Sequence, residues 1–247
     1  MIVKEIEVKS ILTRSKIEGV SYCLNPYVGC AHACGYCYAR FMKKFSGHTE
    51  PWGDFVDVKM NAPQVLERQL KTAKKECVSI STVTDPYQPI EKKFQITRRC
   101  LEILLKHKVP VSILTKSPLI SRDLDLFSCF PDSEIGISIT TDNDTIRNIF
   151  EPRVPTIDQR CEALKLFHDR GIKTYAFIGP ILPMNPDKVA DRIIPYIDRV
   201  LIDKLNYSYL VEKTYHHHKL SYALTASYFL EVIDRLQSRF CRSGIEC

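Results

Sequence analysis

The chain has 247 residues and a mass of 28.5 kDa; hydrophobic residues make up 45% of it and charged residues 26%. These fractions exclude a disordered chain, and the length suits one large domain with a full core. The formal net charge of +6 is only a small basic excess, so charge alone does not indicate a nucleic-acid-binding protein.

No run of about 18 apolar residues occurs, and residues 1–14 alternate charged and apolar side chains where a signal peptide would be continuously apolar. We therefore expect a cytoplasmic protein that has no membrane partner; we also expect a monomer. In that reducing compartment the ten cysteines are not expected to form disulfides, so clustered cysteines indicate metal ligands.

Short β-branched runs alternate with helical patterns along the chain, which is typical of β/α units around a parallel sheet. In chain order, the predicted strands are residues 20–25, 77–82, 109–117, 134–141, 173–181 and 199–206. The predicted helices are residues 61–75, 97–108, 122–127, 156–171, 185–198 and 221–240. Asn61, Thr97 and Thr156 are predicted to cap three of these helices.

About six β/α units are fewer than the eight of a closed barrel. We therefore predict an α/β fold that forms a partial, laterally open (β/α)6 barrel. A doubly wound sheet is the alternative, because alternation alone does not give the strand order. The predicted domains are an N-terminal extension (residues 1–19), the barrel (residues 20–206) and a C-terminal helical segment packed on the barrel (residues 207–247).

Three of the cysteines lie close together in the pattern Cys30-x3-Cys34-x2-Cys37. Three thiolates can hold three corners of a 4Fe-4S cluster and leave the fourth iron open to bind another molecule. The alternative is a zinc site completed by a distant residue such as His32 or His48. Structural zinc generally needs four ligands, often from two paired motifs, and the sequence has no second such motif. An iron–sulfur cluster held by these three cysteines is therefore the prediction.

The cysteine spacing, with an aromatic residue before the last cysteine, resembles that of the radical S-adenosylmethionine (SAM) superfamily, whose fold is a partial β/α barrel. Other segments, roughly from Val20 to Asn206, resemble the branch similar to spore photoproduct lyase. They are CGYCYARF, VDVKMNAPQVLERQL, TVTDPYQPIEKKFQITRRCLEIL, ILTKSPLISRDLDLF, ISITT, FEPRVPTIDQRCEALKLFHDRGIKT and GPILP. The resemblance implies that SAM chelates the open iron and that a donor such as ferredoxin or flavodoxin supplies electrons.

The resemblance also implies SAM contacts at the carboxyl ends of the strands, where a barrel places its functional residues. Thr84 and Asp85 follow the second strand and would receive the methionine ammonium, a role that suits a carboxylate. Lys116 and Ser138 would meet the SAM carboxylate and ribose; the alternative for Lys116 is a solvated lysine at a strand end. Backbone around Gly179 would border the adenine.

Two tyrosines flank Cys37. Tyr36 would pack near the adenine, with core packing as the alternative. By resemblance to the lyases, Tyr36 and Tyr38 would also relay a radical, although Tyr38 is equally compatible with a structural role. In true photoproduct lyases a cysteine that returns a hydrogen atom precedes the segment matched by Val83 to Asp85, and Thr82 occupies its position here. A hydroxyl is a poor hydrogen-atom donor, so we do not expect thymine-dimer repair.

Other polar residues are candidates for contact with the substrate. Gln88 and Glu91 are candidate substrate contacts on a loop at the barrel mouth, with a simple role in the turn as the alternative. Consecutive histidines point in different directions in a helix or strand, so His216, His217 and His218 make a poor ligand set and are expected to form exposed polar surface. The surrounding basic, aromatic-rich segment could contact an anionic substrate.

These features favour a radical SAM enzyme that uses a 4Fe-4S cluster to cleave SAM reductively into methionine and a 5′-deoxyadenosyl radical, which abstracts hydrogen from a substrate. The sequence leaves open whether the substrate is a nucleic-acid base, a peptide or a small metabolite. The alternative function is a nucleic-acid-binding module with a structural metal site, favoured by the basic balance and the aromatic C-terminal segment.

Overall fold

The computed structural model describes residues 1–15 and 20–247. The strands are β1 (Ile2–Ile6), β2 (Leu12–Arg14), β3 (Tyr22–Leu24), β4 (Tyr27–Val28), β5 (Phe55–Lys59), β6 (Val78–Ile80), β7 (Val111–Thr115), β8 (Ser133–Ser138), β9 (Lys173–Ile178) and β10 (Arg199–Ile202). The α-helices are α1 (Lys43–Ser46), α2 (Ala62–Leu70), α3 (Glu91–Phe94), α4 (Ile96–Lys106), α5 (Leu124–Phe127), α6 (Asp144–Phe150), α7 (Ile157–His168), α8 (Pro186–Ile193), α9 (Glu212–His217) and α10 (Ala226–Arg242). Short 3-10 helices cover Tyr38–Met42, Pro118–Asp123, Ile194–Tyr196, Ser208–Leu210 and Ser221–Leu224.

Hydrogen bonds order seven strands in one sheet as β10, β9, β8, β7, β6, β3 and β2. Strand β2 runs antiparallel to β3, whereas β3, β6 and β7 are mutually parallel and β9 is parallel to β10. Because β2 and β10 are the two edges of this sheet, the barrel is not closed. The prediction of an α/β fold with a partial, laterally open barrel is confirmed.

The chain divides into two compact units. The first comprises Met1–Ala33 and Ala39–Ile135, and the second comprises Cys34–Tyr38 and Gly136–Cys247. The first unit also holds a small sheet in which β1 pairs in parallel with β5, and β4 pairs with the other edge of β5. Residues 16–19 of the predicted N-terminal extension lie outside the described residues, and strands β1 and β2 form within the rest of it.

Three predicted helix caps gave different outcomes. Thr156 caps α7 in a reciprocal capping box with Gln159, as predicted. Thr97 instead lies inside α4 and donates its hydroxyl proton to the Pro86 carbonyl at 2.6 Å, so its prediction as a cap is wrong. Asn61 precedes α2, but its side-chain amide pairs with the backbone of Val8 instead of capping the helix.

The C-terminal helix α10 belongs to the second unit and packs against α8. Its buried stripe, Val232, Leu236 and Phe240, repeats at helical spacing, and Thr225 caps its first turn. On the polar side, Arg235 and Arg239 pair with carboxylates of α8. Among the described residues, no helix is long and apolar enough to cross a membrane.

Candidate active site at the cysteine loop

The three predicted metal ligands lie on the loop that follows β4. Cys30 and Cys34 are buried and Cys37 is half-buried. Gly29 opens the loop at a φ of 85°, and a Cβ atom there would lie 2.4 Å from the carbonyl oxygen of Phe55. Only glycine fits this backbone, because the left-handed conformation and the close approach both exclude a side chain.

Within the first unit, side chains after β6 hold the start of the cysteine loop. The hydroxyl of Thr84 donates to the Gly29 carbonyl at 2.6 Å, and the Gln88 amide oxygen accepts a hydrogen bond from the Ala31 N–H at 2.8 Å. The Gln88 amide nitrogen donates to the Thr84 hydroxyl at 3.0 Å. Gln88 is fully buried, so its contacts shape the loop, and the interpretation of Gln88 as a substrate contact is not supported.

Asp85 is buried at the centre of the same region. Its carboxylate accepts hydrogen bonds from the Tyr87 N–H at 2.9 Å, the Thr115 hydroxyl at 2.6 Å and the Lys116 N–H at 2.9 Å. The Nε2 atom of His32, on the cysteine loop, lies 3.4 Å from a carboxylate oxygen. Burial alone would raise the pKa of Asp85, but these partners lower it to about 2. Asp85 therefore joins the ends of β6 and β7 to the cysteine loop.

Glu91 is also an internal residue. It is fully buried and accepts hydrogen bonds from the Tyr27 hydroxyl, from Arg122 at 2.8 Å and from the Thr97 N–H at 3.0 Å. Burial and the Glu91 charge together raise the pKa of Tyr27 far above its usual value, so the phenol keeps its proton. These contacts assign Glu91 to the packing of the first unit and do not support the interpretation as a substrate contact.

In the second unit, Tyr36 belongs to a buried polar network. Its hydroxyl donates to Glu151, which forms an ion pair with Arg160 and accepts a hydrogen bond from the Thr140 hydroxyl at 3.1 Å. Burial, followed by the Glu151 charge, raises the pKa of Tyr36 well above its usual value. The Gly35 N–H donates to the carbonyl of Phe150 at 2.7 Å, so two neighbouring loop residues are fastened to the end of α6.

The other residues predicted to contact SAM in the second unit lie at the ends of β8 and β9. Ser138 is buried, and its carbonyl accepts a hydrogen bond from Arg160 at 3.1 Å. The ring of Phe177 covers Gly179, where a Cβ atom would lie 2.3 Å from Cζ of that ring. The absence of a side chain at Gly179 therefore makes room for an aromatic ring at the strand end.

The remaining candidate residues are Tyr38, Thr82 and the three consecutive histidines. Tyr38 is partly exposed, and its ring stacks with that of Tyr207 at a centroid distance of 6.2 Å. The hydroxyl of Thr82 accepts a hydrogen bond from the Asn25 amide at 3.3 Å. Cys77, a thiol five residues before Thr82, directly precedes β6, whereas Thr82 follows it, so this thiol lies at the opposite end of the strand from the position of the hydrogen-donating cysteine in the lyases. The histidines at 216–218 are exposed, as predicted.

The zinc alternative needs a fourth ligand besides the three cysteines, such as His32 or His48. Among residues 1–15 and 20–247, no group of three or more His, Cys, Asp or Glu side chains is placed to hold a metal ion. His48 already contacts Asp57 at 2.7 Å and Glu50 at 3.0 Å through its two ring nitrogens. The zinc alternative completed by His48 is therefore not supported.

A family model described as the radical SAM superfamily matches residues 24–193. The chain belongs to the radical SAM superfamily. The matched range contains the cysteine loop and the strand ends described above. Iron–sulfur and SAM binding are properties of this superfamily.

Several relatives match the radical SAM part of the chain. An uncharacterized protein of Methanocaldococcus jannaschii is 41% identical over 72% of this chain and 67% of its own length. An uncharacterized protein of Mycobacterium tuberculosis is 30% identical over 67% of this chain and 51% of its own length. The radical SAM Nalpha-GlyT isomerase of Pseudomonas phage M6 is 24% identical over 64% of this chain and 32% of its own length. The chain thus spans about two thirds of the archaeal relative, about half of the mycobacterial one and about a third of the phage enzyme.

Solved structures share the radical SAM fold. Spore photoproduct lyase complexed with dinucleoside spore photoproduct has a TM-score of 0.70 at 14% identity, covering 97% of this chain and 79% of that one. A mutant of that lyase with bound AdoMet and the dinucleoside has a TM-score of 0.63 at 16% identity, covering 87% and 66%. SuiB of Streptococcus suis bound to S-adenosylmethionine has a TM-score of 0.55 at 16% identity, covering 82% and 44%. At these identities the likeness is one of fold.

Sequence reasoning missed the partners that hold the predicted residues in place, namely His32, Thr115, Glu151 and Arg160. For Arg160 a signal was present. It lies three residues after Ile157 and four before Leu164, so helical spacing puts a cation on the buried face of α7 and predicts a buried anionic partner.

Proposed function

We propose that the chain is an enzyme that binds a 4Fe-4S cluster through Cys30, Cys34 and Cys37, and that it cleaves SAM reductively to a 5′-deoxyadenosyl radical that abstracts hydrogen from a substrate. Superfamily membership over residues 24–193, a range that includes all three cysteines, carries the proposal. The three cysteines form no disulfide, and an iron–sulfur cluster binds cysteines as thiolates.

The cluster would supply the electron that cleaves SAM, and the residues of this chain would hold the cluster and orient SAM. In the first unit, Thr84 and Gln88 fix the backbone beside Cys30, and Asp85 links His32 to the ends of β6 and β7. In the second unit, Tyr36 is fastened through Glu151. Each part of the loop is therefore held within its own unit, the backbone beside Cys30 in the first and the residue before Cys37 in the second.

We propose Thr84, Asp85, Lys116, Ser138 and Gly179 as the SAM-binding positions, by resemblance to the superfamily. The carboxylate of Asp85 already accepts hydrogen bonds from Tyr87, Thr115 and Lys116, so its proposed role is to hold the strand end that receives the SAM ammonium. Tyr36 is proposed to border the adenine. Tyr36 and Tyr38 are also proposed as radical relays; for Tyr36 the hydrogen bond to Glu151 provides a proton acceptor.

The proposed substrate contains a nucleobase, a class supported by the dinucleoside bound to the lyase neighbour. The net reaction is proposed to differ from photoproduct repair, because Thr82 stands where the lyases have the hydrogen-donating cysteine. We further propose a cytoplasmic location and a reductant such as ferredoxin or flavodoxin. A reducing compartment would preserve the three thiols as cluster ligands.

Anaerobic reconstitution followed by dithionite and SAM tests the proposal, with 5′-deoxyadenosine and methionine measured by chromatography. We expect both products from the wild-type protein and from Cys129→Ala, which removes an exposed thiol outside the loop. Cys34→Ala is expected to give neither product and to lose iron. A fully loaded wild-type cluster that yields no 5′-deoxyadenosine, with or without oligonucleotide, would contradict the proposal.

A further inference from the structure

Three tyrosines of the second unit form an exposed row. Tyr38, Tyr207 and Tyr209 have exposed fractions of 46%, 43% and 71%. The rings of Tyr38 and Tyr207 are stacked, with centroids 6.2 Å apart and an interplanar angle of 20°. The rings of Tyr207 and Tyr209 meet edge to face at 6.3 Å and 70°. Adjacent large aromatic side chains left in solvent indicate a binding surface, because burying them would be favourable.

The row starts at the cysteine loop. Tyr38 directly follows Cys37, and the loop residues before it are held by the Cys37 N–H donating to the Cys34 carbonyl at 3.2 Å and by the Gly35 N–H donating to Phe150 at 2.7 Å. Tyr38 therefore follows a proposed cluster ligand on a hydrogen-bonded stretch of backbone. A ligand lying along the row would have one end at the proposed reaction centre.

The other two rings stand on a short, anchored turn. The Leu210 N–H donates to the Tyr207 carbonyl at 3.0 Å, and the Val211 N–H donates to the Ser208 carbonyl at 2.9 Å. Leu205 and Val211, on either side of the turn, are buried. Rings on a fixed turn lose little conformational freedom when a flat ligand stacks on them.

The residues around the row favour an anionic ligand. Lys204, Lys213 and Lys219 are exposed in the same segment, and the histidines at 216–218 add further basic groups. The same segment carries two acids: Asp203 accepts hydrogen bonds from the Asn206 amide at 3.0 Å, and Glu212 lies 3.8 Å from Nε2 of His216. Aromatic rings with flanking cations are the combination that binds single-stranded nucleic acid, because bases stack on the rings while phosphates pair with the cations.

We propose that Tyr38, Tyr207 and Tyr209 form a stacking surface for the bases of a single-stranded nucleic acid. The strand lies with its bases on the rings and its phosphates toward the flanking lysines, and one base is presented to the cysteine loop. The proposal that a nucleic acid binds this surface depends only on the three rings and the flanking charges. The proposal that a base is presented for reaction also rests on the proposed function.

Fluorescence anisotropy with a labelled single-stranded oligonucleotide of about 12 nucleotides, a length within the usual site sizes, tests the surface on the reconstituted protein. Tyr209→Ala and Tyr207→Ala are each expected to weaken binding roughly five- to a hundredfold, the range for the loss of one stacked base. Tyr209→Phe keeps a ring and should remain within about twofold of wild type. The matched control is Leu230→Ala, because Leu230 is 69% exposed on α10 of the same unit and carries no aromatic ring.

Salt dependence separates stacking from charge. Lys204→Ala is expected to reduce the salt slope of binding by about 0.7, the value per phosphate contact on a single strand, whereas Tyr209→Ala should leave the slope unchanged. No binding by wild type, equal affinities for wild type and both alanine variants, or tyrosine-dependent binding of a peptide with none of the oligonucleotide would each overturn the proposal. SAM cleavage by the wild type, measured in parallel, reports on the proposed function separately.

Discussion

Replacing Asp85 with asparagine perturbs the residue that joins three segments of the first unit. Asparagine has the same shape, and its carbonyl oxygen can still accept hydrogen bonds from the Tyr87 N–H and the Thr115 hydroxyl. Its amide nitrogen, however, then faces the Lys116 N–H, where the carboxylate oxygen now accepts at 2.9 Å. The Lys116 N–H is then buried and faces a second donor in place of its acceptor.

The size of the effect follows from two observations. A buried donor without an acceptor costs about 1–3 kcal/mol. Independently, the partners of Asp85 lower its pKa from 3.8 to about 2 against the opposing effect of burial. At about 1.4 kcal/mol per pKa unit, the folded protein favours the ionised carboxyl over the protonated one by about 2 kcal/mol. Both arguments predict that Asp85→Asn lowers the unfolding free energy by about 2 kcal/mol at neutral pH.

The pH dependence has a definite direction. The pKa of Asp85 in the folded protein lies below the unfolded-state value of 3.8, so its stabilising contribution is complete above that value. It is lost as the pH falls from about 4 towards 2, where the folded protein also takes up the proton. The difference in unfolding free energy between wild type and Asp85→Asn should therefore shrink over that window.

Urea unfolding followed by circular dichroism, under anaerobic conditions, measures this difference. Asp85→Asn should lower the unfolding free energy by about 2 kcal/mol, and SAM affinity should fall because the strand end is less well held. Asp169→Asn, at an exposed position after α7, should change stability by less than about 0.5 kcal/mol. Unchanged stability together with a ten- to hundredfold loss of SAM affinity would refute this reasoning and assign the carboxylate directly to the ligand.

Three further predictions concern other parts of the chain. Cys34→Ala should lose its iron and the absorbance at about 400 nm that an iron–sulfur cluster gives, whereas Cys129→Ala should keep both. Retention of iron in Cys34→Ala would mean that Cys34 is not a ligand. Arg160→Leu leaves the buried Glu151 without its cation and should destabilise the protein by about 3–5 kcal/mol in urea unfolding, and a loss below about 1 kcal/mol would contradict a buried ion pair. Gly136→Ala would put a Cβ atom 2.1 Å from the ring of Tyr175 in β9. This overpacking should lower the unfolding free energy by about 1–3 kcal/mol and therefore lower the thermal midpoint. An unchanged midpoint would show that the ring moves freely.

Local signals predicted the elements that depend on short stretches of sequence. The cysteine spacing identified the loop, and the Thr156 cap could be predicted because its partner, Gln159, lies three residues away. The alternation of strands and helices likewise predicted β/α units around a parallel sheet, whereas the preference for a partial barrel over a doubly wound sheet also rested on the cysteine motif. Each of these features is encoded within one segment or in the order of segments.

Contacts between distant residues could not be predicted in the same way. The side chain of Asn61 binds the backbone of Val8, 53 residues earlier, in preference to its own helix. The hydrogen bond from Tyr36 to Glu151 joins residues 115 positions apart. No short pattern distinguishes such a buried acid from one on the surface, so the sequence leaves Glu91 open as a substrate contact or a turn residue, whereas the structure buries it fully. Tertiary packing, not local preference, decides these cases.

The central claim is that three cysteines hold a 4Fe-4S cluster whose fourth iron binds SAM. Mössbauer spectroscopy of protein reconstituted with iron-57 tests it most directly, because each iron contributes separately to the spectrum. We predict that one iron in four changes its isomer shift when SAM is added, while the three thiolate-bound irons do not. Four irons that stay unchanged at saturating SAM, or an iron content far below four per chain in fully reconstituted protein, would contradict it.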